Sequence, residues 1–206
     1  MLPLLLIRHG ETPLNVARVL QPADTPLSAR GIEQAQAVAR RLAGMQIAAI
    51  VSSDLPRARH TAELIAAASG VPIEFSELLR ERNFGDWRGL AYDTLPVNPL
   101  LMADAPPGGE SAAVFEARVA QAFALVVQRA ARLASGALVV VSHGLVLRAM
   151  LGAHIQLPEG VAVPAHMGNT CVNVVDALPP HAASLVNCTR HLDPATGDDP
   201  QALSGG

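Results

Sequence analysis

Six short apolar runs alternate along the chain with longer stretches of helical periodicity. The runs are "LLLIRH" (4–9), "IAAIVSS" (47–53), "PIEFS" (72–76), "ALVVVSH" (137–143), "TCVNVVDA" (170–177) and "ASLVNCT" (183–189). Helical patterns cover residues 28–43, 55–68, 111–134 and 145–153. Runs rich in Val, Ile and Leu without polar alternation are strands buried on both faces, the mark of a parallel sheet covered by helices. The pattern predicts an α/β fold, a three-layer sandwich with a mostly parallel central sheet and helices on both faces.

Helix starts are marked by Ser28, by "SSDLP" with Pro56 at an early position, and by Ser111. Gly31 and the "GGES" at 108–111 read as turn or loop freedom. Residues 84–110 mix prolines, glycines and short apolar runs and read as a lid-like excursion; residues 193–206 have the composition of a flexible tail. The whole chain, 1–206, is long enough for a single domain with a substantial core.

A net charge of -3 gives no global pull toward nucleic acid or acidic membranes, so any anion site must be local. No stretch approaches the ~20 apolar residues of a membrane span. The apolar start before Arg8 is too short for a signal peptide, so a cytoplasmic protein is expected. Cys171 and Cys188 then stay reduced; they lie symmetrically about "LPPHAA", but no disulfide is expected between them. All 15 basic residues are arginine, which excludes a Schiff-base or P-loop lysine and suits oxyanion binding. Genome base composition would produce the same bias.

The candidate chemistry lies at strand ends, where ligands of open α/β sheets bind. Both "LLLIRHG" and "VVVSHG" end in His-Gly, which delivers His9 and His143 to one rim of the sheet. The glycine after each histidine lets the backbone turn sharply and approach a ligand. Arg8 precedes His9, and Arg57 lies in the first turn after "IVSSDLP". If these strands are neighbours, two guanidiniums and two imidazoles converge. Such a cluster pushes histidine toward its neutral, nucleophilic form, while paired arginines bind phosphate oxygens. The combination points to phosphoryl transfer through a phosphohistidine.

The ordered set "RHGET" with Asn15, "LQPADTPLSARGIEQA", "SSDLPRARHTA", "LLRERNFGDWRG", "GGES" and "VSHG", over residues 4 to about 176, resembles the phosphoglycerate-mutase-like branch (branch 1) of the histidine phosphatase superfamily. The resemblance implies that His9 is the phosphorylated nucleophile and that Arg8, Arg57 and His143 bind the transferring group. It implies that Glu81 is proton donor and later base, and that Thr12, Asn15 and Gln21 make secondary contacts. It implies no metal and no organic cofactor, and as partner a small phosphoester rather than nucleic acid or membrane; members are often homodimers. A protonated carboxyl near neutral pH suits a leaving alkoxide. In an extended segment the side chains of Arg80 and Arg82 turn away from Glu81, and the second ring nitrogen of His9 should donate to a backbone carbonyl, fixing the tautomer. One departure stands out: Pro22 follows Gln21 where the family usually has glycine, so the mouth loop lacks an amide donor there.

Other residues have plainer readings. Arg59 is expected to be solvated or salt-bridged, Trp87 to pack, and Glu11 to support the motif. His60, His154, His166, His181 and His191 lack metal-ligand spacing. Glu110 either favours the long helix through its charge or, by the resemblance, contacts substrate. Tyr92, Leu95, Leu100, Leu101 and Met102 either line an apolar pocket above an arginine floor or simply pack the excursion. Between Arg88 and Arg118 there is no basic residue, whereas a mutase must also hold a carboxylate, so hydrolysis of a small phosphorylated metabolite is favoured. An alpha-ribazole-phosphate-type phosphatase is one form of it. The alternatives are a cofactor-dependent phosphoglycerate mutase and a non-catalytic protein binding a phosphorylated ligand.

Overall fold

The computed structural model describes residues 2–192. Strands β1 (Pro3–Arg8), β2 (Ile47–Ser52), β3 (Ile73–Phe75), β4 (Ala137–Ser142), β5 (Val172–Asp176) and β6 (Ala183–Cys188) form one sheet in the order β3-β2-β4-β1-β5-β6. The β1/β4, β2/β4 and β2/β3 pairs are parallel, while β5 runs antiparallel to both β1 and β6. The reversal follows from link length: residues 177–182 are too few for a crossover helix, so β6 must fold straight back on β5.

Helices α2 (Ala29–Leu42) and α3 (Pro56–Ser69) cover one face of the sheet, and α4 (Ala112–Ala130) and α5 (Gly144–Ala153) the other. The pleat of β1 divides its side chains accordingly. Leu4 and Leu6 join Phe115, Phe123 and Met150, whereas Leu5 and Ile7 join Val38, Leu42 and Ile65. Every residue of β4 is buried, as a central parallel strand requires. A further helix, α1 (Pro13–Val16), was not apparent from the pattern. Among the described residues no helix is long and apolar enough to cross a membrane. The expected tail, 193–206, lies outside the described residues.

The predicted caps hold at two of three helices. Ser28 accepts from the Gly31 amide at 2.9 Å and Ser111 from the Val114 amide at 3.2 Å. Helix α3 differs, because its cap position is Leu55 and no side chain caps it. Asp54 is bonded to Arg80 instead, and Pro56 opens the helix without needing a partner for an amide. Cys171 and Cys188 are both free and buried; Cys188 stands opposite Val172 in the ladder, not opposite Cys171.

The glycines at the motif have a packing role, and Gly31 does not lie where it was expected. Gly31 belongs to α2, not to a loop, and a Cβ there would overlap the Glu11 carbonyl; a Cβ on Gly10 would overlap the Gly31 carbonyl. Gly10 is therefore required for close packing of the motif loop on α2. Gly31→Ala should cost about 3 kcal/mol by overpacking against backbone that cannot yield. Gly44→Ala, where nothing lies within 4 Å, should be neutral or slightly stabilising. Denaturant midpoints of the two variants check this, and equal midpoints would remove the packing argument.

Candidate active site

β1 and β4 are neighbours in register, Arg8 opposite Ser142, so the residues that follow them leave the sheet together. The rings of His9 and His143 are 5.1 Å apart between centroids, at 60°. β2 flanks β4 on the other side and leads through Leu55 into α3, where Arg57 sits in the first turn. Three adjacent parallel strands thus end at one rim. Arg8, His9, Arg57 and His143 are each no more than 1% exposed.

The orientation of His9 is fixed at three points. Its Nδ1 lies 2.6 Å from the Gly10 carbonyl, so Nδ1 carries the proton and Nε2 keeps its lone pair. Its amide donates to Ser142 O at 3.0 Å, and its carbonyl accepts from Asn169 Nδ2 at 3.0 Å. Nε2 is buried without a hydrogen-bond partner among the described residues, as is Nδ1 of His143, whose Nε2 lies 2.8 Å from Ser53 Oγ. Thr61 on α3 ties the loop down, accepting from the Gly10 amide at 3.1 Å and donating to Arg57 O at 2.8 Å. The Arg8 guanidinium donates to the Met167 carbonyl. Arg57 donates to Pro22 O at 3.4 Å, and the Thr25 hydroxyl donates to the same oxygen at 2.9 Å. The departure at Pro22 thus leaves a carbonyl that ties the mouth loop to Arg57.

Burial, with Arg57 and Arg8 adding, holds His9 well below the ordinary imidazole range. Burial, Arg57, His9 and Arg8 do the same to His143. Arg57 is itself lowered to about 10 by burial, with Glu81 opposing and Arg8 and Arg88 adding. Two neutral imidazoles and two guanidiniums buried together form a cluster whose net positive charge an anion would offset. The same shifts govern stability. Below the ordinary histidine value of 6.5 the unfolded chain protonates both imidazoles and the folded chain does not. Stability should therefore fall as pH drops from 7 toward 5, by up to about 1.4 kcal/mol per pH unit for each histidine. Denaturation across that range measures the slope, and His143→Asn should make it shallower; a flat profile would contradict the burial argument.

Glu81 follows a 3-10 turn, Glu77–Leu79, and its carboxyl reaches the start of α5 beside His143. Its Oε2 accepts from the Leu145 amide in the first turn of α5 at 3.1 Å, and Oε1 from the Arg82 amide at 3.0 Å. Burial raises its pKa; those two amides, Arg57 and Arg8 oppose the rise. The neighbouring arginines turn away, as extended alternation predicts. Arg80 pairs with Asp54 at 2.7 Å, and Arg82 donates to Met102 O at 2.9 Å and to Glu110 O at 3.2 Å.

The secondary residues are largely engaged with one another. Thr12 caps α1, accepting from the Asn15 amide at 3.0 Å while its own amide donates to Asn15 Oδ1 at 3.1 Å. The Thr12 hydroxyl donates to Gln21 Oε1 at 2.8 Å, which leaves Gln21 Nε2 as a buried donor without a partner. Glu110 does not cap α4; its carboxylate takes Arg118 Nε at 2.7 Å and Nη2 at 2.8 Å, and the Asn83 amide at 2.8 Å. Glu11 accepts from Ser28 Oγ at 2.9 Å, a supporting contact as expected. Arg59 lies over the Phe75 ring, and Trp87 packs against the core. Ser53, Asn169 and Arg118 were missed. Ser53 could have been found from its place at the end of β2, but nothing local marks Asn169 or Arg118.

A cavity of about 340 Å³ borders Glu81 and is lined by Leu55, Leu78, Asn83, Arg88, Glu110 and Arg118, among others. It is predominantly polar. Tyr92, Leu95 and Leu100 border a different hollow, beside Arg18, and Leu101 is 83% exposed. Tyr92, Leu95 and Leu100 also pack against the core, and Tyr92 is held above the ordinary phenol range by burial and by Glu81.

The model of the histidine phosphatase superfamily (branch 1) matches residues 4–186. A probable phosphoglycerate mutase GpmB of Citrobacter koseri is 33% identical across 98% of this chain and 100% of its own. Among solved structures, a mycobacterial glucosyl-3-phosphoglycerate phosphatase is 32% identical, with a TM-score of 0.71 over 84% of this chain and 89% of its own. A putative alpha-ribazole-5'-P phosphatase of Escherichia coli is 28% identical, with a TM-score of 0.75 over 91% of this chain and 97% of its own. The family match over most of the chain, the identity to these relatives and the shared fold agree, and the chain belongs to branch 1 of the histidine phosphatase superfamily.

Proposed function

We propose that the protein is a phosphomonoesterase acting through a phosphohistidine. The substrate's phosphoryl group sits among Arg8, Arg57 and His143. His9 Nε2 attacks phosphorus as the bond to the ester oxygen breaks, and the Glu81 carboxyl gives its proton to that oxygen. A water then attacks the phosphohistidine and gives its proton to Glu81, so phosphate leaves and both side chains return to their starting states. The observation that carries this reading is the tautomer of His9: Nδ1–H is held by the Gly10 carbonyl, Nε2 is buried without a partner among the described residues, and the His9 ring lies 5.1 Å, centroid to centroid, from that of a second neutral imidazole. Positioning and fixed charge are what phosphoryl transfer needs from a protein. Gln21, with its spare amide, is the secondary residue best placed to touch substrate. A cytoplasmic setting fits the two free, buried thiols.

Hydrolysis is favoured over mutation because Arg88 is the sole basic residue from 83 to 117. Arg88 lines the cavity beside Glu81, where the leaving group would lie, and forms no ion pair among the described residues. Arg88→Ala should therefore lower kcat/KM about tenfold for esters with a carboxylate on the leaving group and little for neutral ones. The test of function is phosphate release from sugar phosphates, nucleotides and phosphoglycerates. Interconversion of phosphoglycerates with little free phosphate would establish the mutase instead, and tight binding without turnover a ligand-binding protein.

A further inference from the structure

We infer that Arg118 is a positioning residue that holds the proton donor Glu81 in place and ties it to the seating of the 84–110 segment. The inference rests on the phosphatase reading. A guanidinium has five N–H donors in a fixed plane, and Arg118 uses all of them on four residues. Nη1 donates to Leu78 O at 2.9 Å and to Arg80 O at 2.7 Å; Nη2 donates to Glu81 O at 3.3 Å and to Glu110 Oε2 at 2.8 Å; Nε donates to Glu110 Oε1 at 2.7 Å. Nothing is left for a substrate, although the side chain lines the cavity. The contacts bracket Glu81. Arg118 grips carbonyls at 78, 80 and 81, and its partner Glu110 takes the amide of Asn83 at 2.8 Å. Arg82 works from the other side, donating to Met102 O and Glu110 O.

This network sets the acid because, among the described residues, the Glu81 carboxyl has no side-chain hydrogen-bond partner of its own. Its two carboxyl contacts are backbone amides, one of them from the next residue in the gripped segment. A shift of the segment therefore carries the carboxyl with it. The pair is well enough enclosed to hold position, with side chains 18% and 16% exposed. Lysine keeps the charge but, as a point charge with three donors, cannot reproduce the planar fork.

The test compares Arg118→Lys and Glu110→Gln with wild type on two esters, an alkyl phosphate whose alkoxide must be protonated and p-nitrophenyl phosphate, whose leaving group scarcely needs a proton. For Arg118→Lys, kcat/KM should fall about 10- to 100-fold on the alkyl ester and only about twofold on the aryl one, since a displacement near 1 Å is enough to disable a catalytic group. Glu110→Gln should show the same selectivity more weakly, and supplies the answer if the lysine variant folds poorly. Inhibition by vanadate, which needs only the rim, should stay within about twofold of wild type in both. In a Glu81→Gln background, Arg118→Lys should add almost nothing on the alkyl ester. Equal losses on the two esters, an undiminished loss without Glu81, or wild-type rates would each overturn the inference. A wild-type protein that releases phosphate from neither ester would instead overturn the phosphatase reading.

Discussion

Purified His9→Ala protein is expected to release phosphate about 10⁴-fold or more slowly than wild type while still binding vanadate. Removal of a nucleophile costs orders of magnitude because no neighbouring group can form the covalent intermediate in its place. His143 is not expected to substitute: its Nε2 is engaged with Ser53 Oγ, which leaves only Nδ1, and its ring meets that of His9 edge-on. Anion affinity should survive because Arg8, Arg57 and His143 belong to other backbone positions, and His9 is neutral before reaction, with its pKa well below the ordinary range. Rapid quenching into alkali with ³²P-labelled substrate should trap an acid-labile label on wild type and none on the variant. Retention of the full rate by His9→Ala would remove the covalent route altogether.

The parts of this site that were legible in the sequence are those where local pattern and global position coincide. An apolar run without alternation identifies a buried strand, a strand end identifies a rim, and "RHG" and "SHG" place His9 and His143 there; the observed register, Arg8 against Ser142, only had to make β1 and β4 neighbours. Glycine is ambiguous in sequence because one local signal serves two causes. A glycine after a histidine looks the same whether it frees a turn or admits a helix, and only the approach of Gly31 in space shows that Gly10 admits one. Asn169, which holds the His9 carbonyl, and Met167, which takes Arg8, lie about 160 residues away in sequence. Contacts of that span carry no periodicity. The four residues of α1 are too short to show one, and the apolar residues of the excursion cannot report which hollow they will border.

Glu81→Gln is the variant that tests the second half of the chemistry, and its effect should depend on both pH and substrate. In wild type the donor form is the protonated carboxyl, and burial raises its pKa above the ordinary carboxylate value. After correction for the substrate's own ionisation, kcat/KM on an alkyl phosphate should hold at low pH and fall as pH rises through that raised pKa. His9, with its depressed pKa, is neutral over the same window and contributes no limb of its own. Glutamine keeps the two amide contacts through its single oxygen at best and has no proton to give. On an alkyl ester Glu81→Gln should therefore lose about 10²- to 10⁴-fold in kcat/KM and lose the descending limb with it. On p-nitrophenyl phosphate, kcat/KM should change little, because the first step needs no acid, whereas kcat should fall, because water still needs a base to discharge the phosphohistidine. That division produces a burst of nitrophenol followed by a slow steady state. A variant that hydrolyses alkyl esters at the wild-type rate, or a wild-type profile with no fall toward high pH, would show that the proton comes from a group other than Glu81.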